Sequence, residues 1–256
     1  MSVLDRFDLT GRRALVTGSS RGIGRAIALA LAECSADVCV HCRQASERAA
    51  EVAGAIEALG RKAPVAAADL SEAAAADRLF DEAAAALGGV DILVLNASVQ
   101  VPRDWQKIAP EEFDLQMSVN LRSSLRLSQR ASPGMVERHW GRILAVGSVQ
   151  QCKPASHMAV YAASKSAQEN LVRNLARELA PHGITVNNLA PGVIDTDRNA
   201  KALGDSVYRR EVLWWIPAGR IGRAEEVAAA AVLLCSEAGS YITGANLLVD
   251  GGMAVK

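Results

Sequence analysis

The chain lacks both a long apolar run and a net charge. No apolar segment approaches the roughly 18 residues that a membrane-spanning helix needs, and the 28 basic and 28 acidic residues cancel. The segment Met1 to Gly11 carries charges where a signal peptide would have a basic end followed by an apolar run. These absences argue against a membrane protein and against binding to nucleic acid through overall charge. We therefore expect a cytoplasmic protein whose partner is a small molecule.

Cysteines are few and odd in number. Five cysteines in 256 residues argue against a disulfide framework and for a reducing compartment. Cys39 and Cys42 form a CxxC pair, but without a second cluster they cannot complete a tetrahedral zinc site, and residues three apart on a strand point to opposite faces. We predict two buried strand cysteines and no metal site, with metal or redox chemistry as the minor alternative.

Long repeats, linkers and disordered tails are also missing, and 50% hydrophobic content is enough to bury one full core, so residues 1–256 are expected to form a single domain. Apolar segments rich in branched residues predict seven strands, at Ala14 to Thr17, Asp37 to Cys42, Ala63 to Ala67, Ile92 to Asn96, Arg142 to Gly147, Thr185 to Ala190 and Asn246 to Val249. Helical patterns occupy Gly22 to Glu33, Ala45 to Leu59, Ser71 to Leu87, Glu111 to His139, Ala159 to Ala180 and Ala224 to Ser236.

Strand and helix alternate along the chain. Because right-handed crossovers allow little else, this alternation predicts an α/β fold: a doubly wound Rossmann domain with a seven-stranded parallel sheet and helices on both faces. Residues 195–223 break the pattern and are predicted to be irregular. They include Trp214, Trp215 and Pro217, and we interpret them as a lid over a substrate site.

A glycine-rich turn joins the first strand to the first helix. Such a turn lets the backbone approach a pyrophosphate, and the helix N-terminus favours the anion. A purely structural turn is the alternative, because the GxxxGxG spacing departs from GxGxxG. No lysine precedes a serine or threonine as a nucleotide triphosphate P-loop requires. The predicted cofactor-binding residues of this turn are Gly18, Ser20, Arg21, Gly22, Ile23 and Gly24.

The second strand ends without the acidic residue that would bind the ribose hydroxyl of NAD. Arg43 at that end, together with Arg21, offers guanidinium groups to a 2′-phosphate, so NADP(H) is preferred over NAD(H). Solvated arginines are the alternative. Asp69 is placed to accept from the adenine amino group, or else to cap the segment that begins at Ser71.

Tyr161 and Lys165 lie four residues apart and therefore on one helix face. An adjacent cation lowers the pKa of a phenol, which makes Tyr161 a usable general acid or base. Ser148 follows the fifth strand, where open parallel sheets bind ligands, and its hydroxyl can donate to a carbonyl oxygen; a strand-end cap is the alternative. Asn120 is a poor helix former among apolar neighbours, which makes it a candidate catalytic residue. The alternative is a buried amide whose hydrogen bonds are made with the backbone.

Together these features resemble the short-chain dehydrogenase/reductase family over nearly the whole chain. The matching elements are Thr17 to Gly24, Asp69 with Leu70, Asn96 with Ala97, Asn120, Ser148, Tyr161 with Lys165, Pro191 with Gly192 through Thr196, and Thr243 with Gly244 through Asp250 to Gly252. The resemblance implies a tetrad in which Tyr161 exchanges the proton, Ser148 positions the carbonyl, Lys165 holds the nicotinamide ribose and Asn120 anchors a water.

The resemblance also implies cofactor contacts and an assembly. Ile194 and Thr196 are expected at the nicotinamide amide, Asn96 and Ala97 near the ribose, and a homotetramer, or a homodimer, to form partly through the helices near Glu111 and Ala159. Leu95 and Ser98 depart from the asparagine and glycine that are usual in the family. The spacing of Tyr161 and Lys165 argues against the enoyl reductase branch.

We therefore predict an NADP(H)-dependent oxidoreductase that interconverts a ketone and a secondary alcohol, on a sugar acid or a 3-oxoacyl thioester rather than a bulky apolar ketone. The alternative is a catalytically silent dinucleotide-binding sensor or scaffold, against which the intact set of reacting groups argues. The residues expected to line the substrate pocket are Gln100, Arg103, Gln150, Gln151, His157, Trp214 and Trp215.

Overall fold

The computed structural model describes residues 2–256, which are built around a parallel seven-stranded sheet of order β3-β2-β1-β4-β5-β6-β7. Every strand pair in it is parallel. The strands are β1 (Arg13–Val16), β2 (Asp37–Cys42), β3 (Val65–Ala67), β4 (Ile92–Leu95), β5 (Gly141–Val146), β6 (Ile184–Pro191) and β7 (Asn246–Val249). The predicted seven-stranded fold is confirmed, with strand ends that differ by at most two residues.

Nine α-helices connect or flank the strands: α1 (Gly22–Glu33), α2 (Glu47–Ala58), α3 (Ala75–Leu87), α4 (Pro110–Met117), α5 (Ser123–Glu137), α6 (Ala159–Leu179), α7 (Asp197–Leu203), α8 (Ser206–Trp215) and α9 (Ala224–Cys235) in residues 2–256. Buried residues of α1, α2 and α9 form one core with one face of the sheet. Those of α3, α5 and α6 form a second core with the opposite face. Helices therefore cover both faces, as predicted.

The strand order reverses at β1, which pairs with β2 on one side and with β4 on the other. At such a point the connections leave β1 and β4 toward opposite faces, so a crevice opens beyond their carboxyl ends. Gly18 and Ala97, which follow these two strands, meet there, since a Cβ at Gly18 would lie 3.0 Å from the Ala97 Cα. This crevice is where a ligand site is expected.

The single helix predicted from Glu111 to His139 is interrupted. A π-helical turn at Ser118–Arg122 separates α4 from α5. The hydroxyls of Ser123 and Ser124 donate to the carbonyls of Val119 and Asn120, at 2.7 and 2.9 Å, and such back-bonding accommodates a widened turn. The interruption places Asn120 in the π-helical turn.

The prediction that residues 195–223 are irregular is wrong for much of their length, because they contain α7 and α8. Asp205 caps α8, since its Oδ1 accepts from the backbone N–H groups of Val207 and Tyr208 at 2.8 and 3.1 Å. The Asp-Ser pair that opens α8 is a recognisable N-cap signal, which the aromatic and proline residues downstream obscured.

The helix predicted from Ser71 begins only at Ala75. The Asp69 Oδ1 accepts from both the backbone N–H and the hydroxyl of Ser71, at 3.0 and 2.7 Å. This local turn occupies the first residues of the expected helix and matches the capping alternative for Asp69.

The CxxC pair lies within β2, and its two cysteines point to opposite faces. Cys39 belongs to the core beneath α3, and Cys42 belongs to the core beneath α2. Burial raises the pKa of the Cys39 thiol to about 12. Over residues 2–256 there is no group of three or more His, Cys, Asp or Glu side chains arranged to hold a metal ion, and no helix combines the length and the apolar character needed to cross a bilayer.

Candidate functional site

A cavity of about 550 Å³ runs along the carboxyl edge of the sheet. The glycine-rich turn, the segments that follow β2 to β6, and α7 contribute to its walls. Most of the predicted site residues line it: Gly18, Ser20, Arg21, Gly22, Ile23, Gly24, Arg43, Asp69, Leu70, Asn96, Ala97, Ser148, Tyr161, Pro191, Gly192, Ile194 and Thr196. Lys165 and Asn120 lie behind this lining and are buried.

The glycine-rich turn is packed too tightly for side chains. A Cβ at Gly24 would lie 2.4 Å from both the Asn96 Nδ2 and the Gly18 carbonyl oxygen. The Asn96 amide donates to the carbonyls of Thr17 and Gly18, at 2.8 and 3.0 Å. Because the α1 N-cap residue, Arg21, makes no side-chain cap bond, first-turn N–H groups remain available to an anion.

His41 is a part of the site that the sequence analysis missed. Its Nδ1 accepts from the Gly18 N–H at 2.9 Å, and its Nε2 lies 2.9 Å from the Ala68 carbonyl oxygen. These partners require the neutral tautomer that carries its proton on Nε2. Burial lowers the pKa of His41, which favours this neutral form. The imidazole therefore ties the glycine-rich turn to the chain that follows β3, and its position inside a CxxC gave no sign of that function.

Arg43 stands at the open end of the cavity, where its side chain is 71% exposed and its Nε lies 3.6 Å from the Asp69 Oδ2. Hydrogen bonds from Ser71 hold the pKa of Asp69 below its usual value, and Arg43 adds to this effect. One carboxylate oxygen of Asp69 is thus committed to Ser71, while the guanidinium of Arg43 stays accessible to a ligand. Arg21 lines the same end.

Tyr161 and Lys165 occupy one face of α6, as predicted. Tyr161 lines the cavity, while Lys165 is only 1% exposed. The Lys165 Nζ donates to the Val146 carbonyl at 2.7 Å and to the Gln168 Oε1 at 3.0 Å, and it lies 6.0 Å from the centre of the Tyr161 ring. Burial, together with the charge of Arg198, lowers the pKa of Lys165 to about 7. The ammonium group is therefore held at the end of β5, immediately behind the phenol.

Ser148 both caps a short turn and lines the cavity. Its Oγ accepts from the Gln150 N–H at 3.2 Å, which is the capping alternative, and its hydroxyl proton remains free to donate. The Gln151 Oε1 accepts from the Ser148 N–H at 3.1 Å, and the Gln151 Nε2 donates to Glu169 at 2.7 Å. Gln151, expected in the substrate pocket, instead supports Ser148 from behind.

Asn120 is fully buried, and its amide is committed to neighbours. Its Oδ1 accepts from the Val99 N–H at 2.8 Å, and its Nδ2 donates to the Val99 carbonyl and to the Ser164 hydroxyl, at 2.9 and 3.0 Å. The side chain therefore fastens the segment after β4 to α6, the helix that carries Tyr161. Two of these three hydrogen bonds are made with the backbone, as the alternative interpretation of Asn120 predicted.

The predicted substrate pocket is right only in part, since Gln100 and Gln150 line the cavity but Arg103, Gln151, His157, Trp214 and Trp215 do not. Arg103 forms an ion pair with Glu112. The two tryptophans pack edge to face with their ring centres 4.7 Å apart. Side chains that the sequence analysis missed in the lining include Leu115, Met158, Arg198, Leu203, Tyr208 and Met253. No local pattern marks them, because α4, α7, α8 and the C-terminal segment converge only in the fold.

Leu95 and Ser98, the two departures after β4, lie in different surroundings. Leu95 is buried in the core beneath α3, where an apolar side chain is well accommodated. Ser98 lines the cavity and accepts two hydrogen bonds from Arg198 of α7, at its Oγ (3.0 Å) and at its carbonyl oxygen (2.9 Å). The serine thus joins α7 to the sheet across the cavity.

The chain is similar to known proteins over nearly its whole length. A family model described as Enoyl-(Acyl carrier protein) reductase matches residues 18–254. The 3beta-hydroxysteroid dehydrogenase 1 of Eggerthella lenta is 39% identical over 97% of this chain and 95% of its own.

Solved structures match over their full length. A 3-oxoacyl (acyl-carrier-protein) reductase from Agrobacterium tumefaciens C58 with NADP bound is 43% identical, with a TM-score of 0.93 over 98% of this chain and 97% of that one. A gluconate 5-dehydrogenase from Burkholderia cenocepacia J2315 in complex with NADP and tartrate is 36% identical, with a TM-score of 0.93 over 100% of both chains. The chain therefore belongs to the short-chain dehydrogenase/reductase family of NAD(P)-dependent oxidoreductases.

Proposed function

We propose that this protein interconverts a ketone and a secondary alcohol with NADP(H), using Tyr161 as the general acid and base. The observation that carries the proposal is that Tyr161 and Ser148 line the same cavity as the glycine-rich turn from Gly18 to Gly24. A hydroxyl pair beside a dinucleotide cradle suits a carbonyl substrate, because a carbonyl oxygen needs both a hydrogen-bond donor and a proton as it becomes an alcohol.

The cavity fits a dinucleotide on its own geometry. The turn has no room for a side chain at Gly24, and α1 presents uncapped N–H groups, so backbone can approach a pyrophosphate closely. Asn96, Ala97, Pro191, Gly192, Ile194 and Thr196 extend this surface toward Tyr161, and Leu70 and Asp69 form its adenine end. NADPH, when bound, supplies the hydride for reduction, and NADP⁺ accepts it in the reverse direction.

The preference for NADP(H) over NAD(H) rests on Arg43 and Arg21. Both line the cavity beyond β1 and β2, and β2 ends at Cys42 without an acidic side chain. A guanidinium recognises a phosphate through paired N–H donors. The neighbouring Asp69 accepts from Ser71 at Oδ1, and its Oδ2 lies 3.6 Å from the exposed Arg43. Because an exposed ion pair contributes little, it competes only weakly with a phosphate for Arg43.

The tetrad divides the chemistry. Ser148 donates a hydrogen bond to the carbonyl oxygen and fixes its position, and Tyr161 gives that oxygen a proton as the alcohol forms. Lys165, anchored on Val146 and Gln168, holds the nicotinamide ribose and, in its protonated form, places a positive charge behind the phenol. Asn120, whose amide is committed to Val99 and Ser164, positions the segment after β4 against α6.

The substrate class that the lining suits is a polar ketone. Gln100 and Gln150 supply amide groups to the lining, while Met158, Leu203 and Met253 supply apolar contact. A gluconate dehydrogenase and a 3-oxoacyl thioester reductase are among the similar proteins, and both substrate types carry a ketone beside polar groups. We therefore place a sugar acid or a 3-oxoacyl thioester first.

The assembly and the lid complete the proposal. The exposed apolar side chains Phe113 of α4 and Leu125 of α5 suit a homotetramer, or a homodimer, in which α4, α5 and α6 meet partner subunits. Residues 195–223 act as a lid over the substrate, and the enzyme acts in the cytoplasm. Light scattering coupled to size-exclusion chromatography measures the assembly directly.

The test is a titration of the purified protein with NADPH and, separately, NADH, followed by cofactor fluorescence. A panel of 5-keto-D-gluconate, acetoacetyl coenzyme A and a 3-ketosteroid is then added to the NADPH complex. We expect tighter binding of NADPH than of NADH and oxidation of NADPH by one of the two polar ketones. Tight binding without oxidation across the panel would favour the sensor or scaffold instead.

A further inference from the structure

Arg198 reaches across the cavity from the first turn of α7. Its Nη1 donates to the Ser98 Oγ at 3.0 Å, and its Nη2 donates to the Ser98 carbonyl oxygen at 2.9 Å. Two oxygens are thus presented side by side to the two ends of one guanidinium fork. A carboxylate offers the same pair of acceptors, but with a negative charge, and charge-assisted bonds of this kind are roughly twice as strong as neutral ones.

The charge of Arg198 has no carboxylate partner within residues 2–256. Asp197, its neighbour in the chain, is taken by Arg48 at 2.7 Å. Apart from Asp197, the other charged side chains of the lining are Arg21, Arg43 and Asp69, which stand at the end of the cavity beyond β1 to β3. Arg198 is therefore a cationic group of the lining that belongs to α7, outside the glycine-rich turn, and that is not neutralised by an ion pair.

Arg198 binds the segment after β4, which is fastened to the helix that carries Tyr161. Ser98 adjoins Val99, whose backbone is held by Asn120, and Asn120 in turn binds Ser164 of α6. The charge of Arg198 also contributes, after burial, to lowering the pKa of Lys165, which agrees with this placement. A ligand anion at Arg198 would accordingly lie against the segment after β4, in the cavity that Tyr161 also lines.

We infer that Arg198 is a specificity-determining residue that binds the carboxylate of an anionic substrate, with Ser98 holding the guanidinium in position until the substrate replaces it. This inference rests on the proposed function and narrows its substrate class to keto acids and their hydroxy acids. The phosphates of the cofactor are the other source of negative charge, but the pyrophosphate is assigned to the N-terminus of α1 and the 2′-phosphate to Arg21 and Arg43.

The experiment measures binding rather than turnover, so that it tests the contact between Arg198 and a carboxylate even if no ketone is reduced. Tartrate is the probe, and threitol, which has the same carbon skeleton with hydroxymethyl groups in place of the carboxylates, is its neutral counterpart. Each is titrated by calorimetry into the free protein and into the protein saturated with NADP⁺. The variants are Arg198→Gln, Arg198→Lys and Ser98→Ala. Arg210→Gln on α8 is the matched control, because Arg210 is exposed and lies outside the cavity lining.

The wild-type protein is expected to bind tartrate and not threitol. Arg198→Gln should raise the Kd of tartrate about 10- to 100-fold, and Arg198→Lys should fall between, since an ammonium lacks the fork. Ser98→Ala should tighten tartrate binding, because it removes a competing acceptor from the guanidinium. Arg210→Gln should leave the Kd unchanged, and the Kd of NADP⁺ should change less than about twofold in every variant.

The inference is overturned if the wild-type protein binds no tartrate, or if Arg198→Gln binds tartrate as the wild type does. A loss of NADP⁺ affinity in Arg198→Gln as large as the loss of tartrate affinity would overturn it by assigning Arg198 to the cofactor. A Ser98→Ala variant that loses tartrate binding as Arg198→Gln does would overturn it by showing that the contact with Ser98 supports the structure of α7. A failure of the proposed function itself appears elsewhere, as absent oxidation of NADPH by the ketone panel.

Discussion

The two edges of the sheet carry polar residues in different ways. At the amino edge, Asp91 precedes β4 and is 2% exposed. Its carboxylate accepts from Arg13 at 2.7 and 2.9 Å and from Arg138 at 2.9 Å. Burial opposes its ionisation, but the two guanidinium groups hold the pKa of Asp91 below its usual value. At this edge the charged groups satisfy one another.

At the carboxyl edge the polar groups are held from behind and keep bonding capacity toward the cavity. Gln151 supports Ser148, His41 supports Gly18, and Asn96 supports the same turn. Polar groups at the two edges therefore have different purposes in this molecule. Those at the amino edge are paired for stability, while those at the carboxyl edge are positioned for a ligand.

Tyr161→Phe, at the carboxyl edge, should have the largest effect on activity and almost none on stability. Loss of the phenol proton should lower NADPH-dependent ketone reduction by about 10²- to 10⁴-fold, while the Kd of NADPH and the urea midpoint stay near wild-type values. Tyr241→Phe is the matched control, because Tyr241 is fully exposed. Steady-state oxidation of NADPH measures the effect, and retained activity would remove Tyr161 from its proposed role.

At the opposite edge, Asp91→Asn should leave kcat nearly unchanged but lower the free energy of unfolding by about 3 kcal/mol, because two guanidinium groups lose their carboxylate. Urea denaturation measures this loss. Glu72→Gln is the control, since Glu72 and Arg78 form an exposed pair worth less than about 1 kcal/mol.

The pH dependence has a definite sign at this edge. The pKa of Asp91 is lower in the folded protein than its usual 3.8, so its stabilisation is present above that value and is lost as pH falls through the folded pKa. The stability of Asp91→Asn should therefore fall less steeply in acid than that of the wild type. Parallel acid profiles would contradict the assignment.

Arg43→Ala tests whether the carboxyl edge recognises the 2′-phosphate of the cofactor. Loss of the guanidinium should weaken NADPH binding by about tenfold and leave NADH binding nearly unchanged, because only the former carries a 2′-phosphate. Fluorescence titration with both cofactors gives the two Kd values, with Arg177→Ala on α6 as the control. Equal losses for NADPH and NADH would mean that Arg43 does not recognise the phosphate.

His41 gives the smallest expected effect. Burial lowers its pKa in the folded protein, so the unfolded chain binds the proton first as pH falls, and stability declines below the usual value of 6.5. The decline contributed by one such group is at most about 1.4 kcal/mol per pH unit. In urea denaturation at several pH values, His41→Gln should reduce this slope. An unchanged slope would show that His41 is not the group that titrates.

Local patterns in the sequence predicted the elements that are marked by a continuous apolar run or a glycine-rich turn. The bounds of α1, β2 and β7 agree with the predicted segments, because continuous apolar runs and the glycine-rich turn are local signals. Most of the predicted site residues line one cavity for a related reason, since parallel strands deliver their carboxyl ends to one edge.

What the sequence could not predict depends on contacts between distant segments. The π-helical turn at Asn120 is accompanied by bonds to Val99 and Ser164, and neither partner is near in the chain. Trp214 and Trp215 were expected in the pocket, but they stack on Lys256 and Lys153 beyond the cavity lining. The Arg198 contact with Ser98 spans 100 residues, so no local pattern announces it.

The most direct test of the central claim is to follow the hydride itself. The protein is supplied with NADPH deuterated at both C4 positions and with 5-keto-D-gluconate or acetoacetyl coenzyme A, and the product is analysed by mass spectrometry. The account predicts an alcohol that carries one deuterium on its carbinol carbon and that is almost absent with Tyr161→Phe. An unlabelled alcohol, or tightly bound NADPH that yields no alcohol from either ketone, would contradict it.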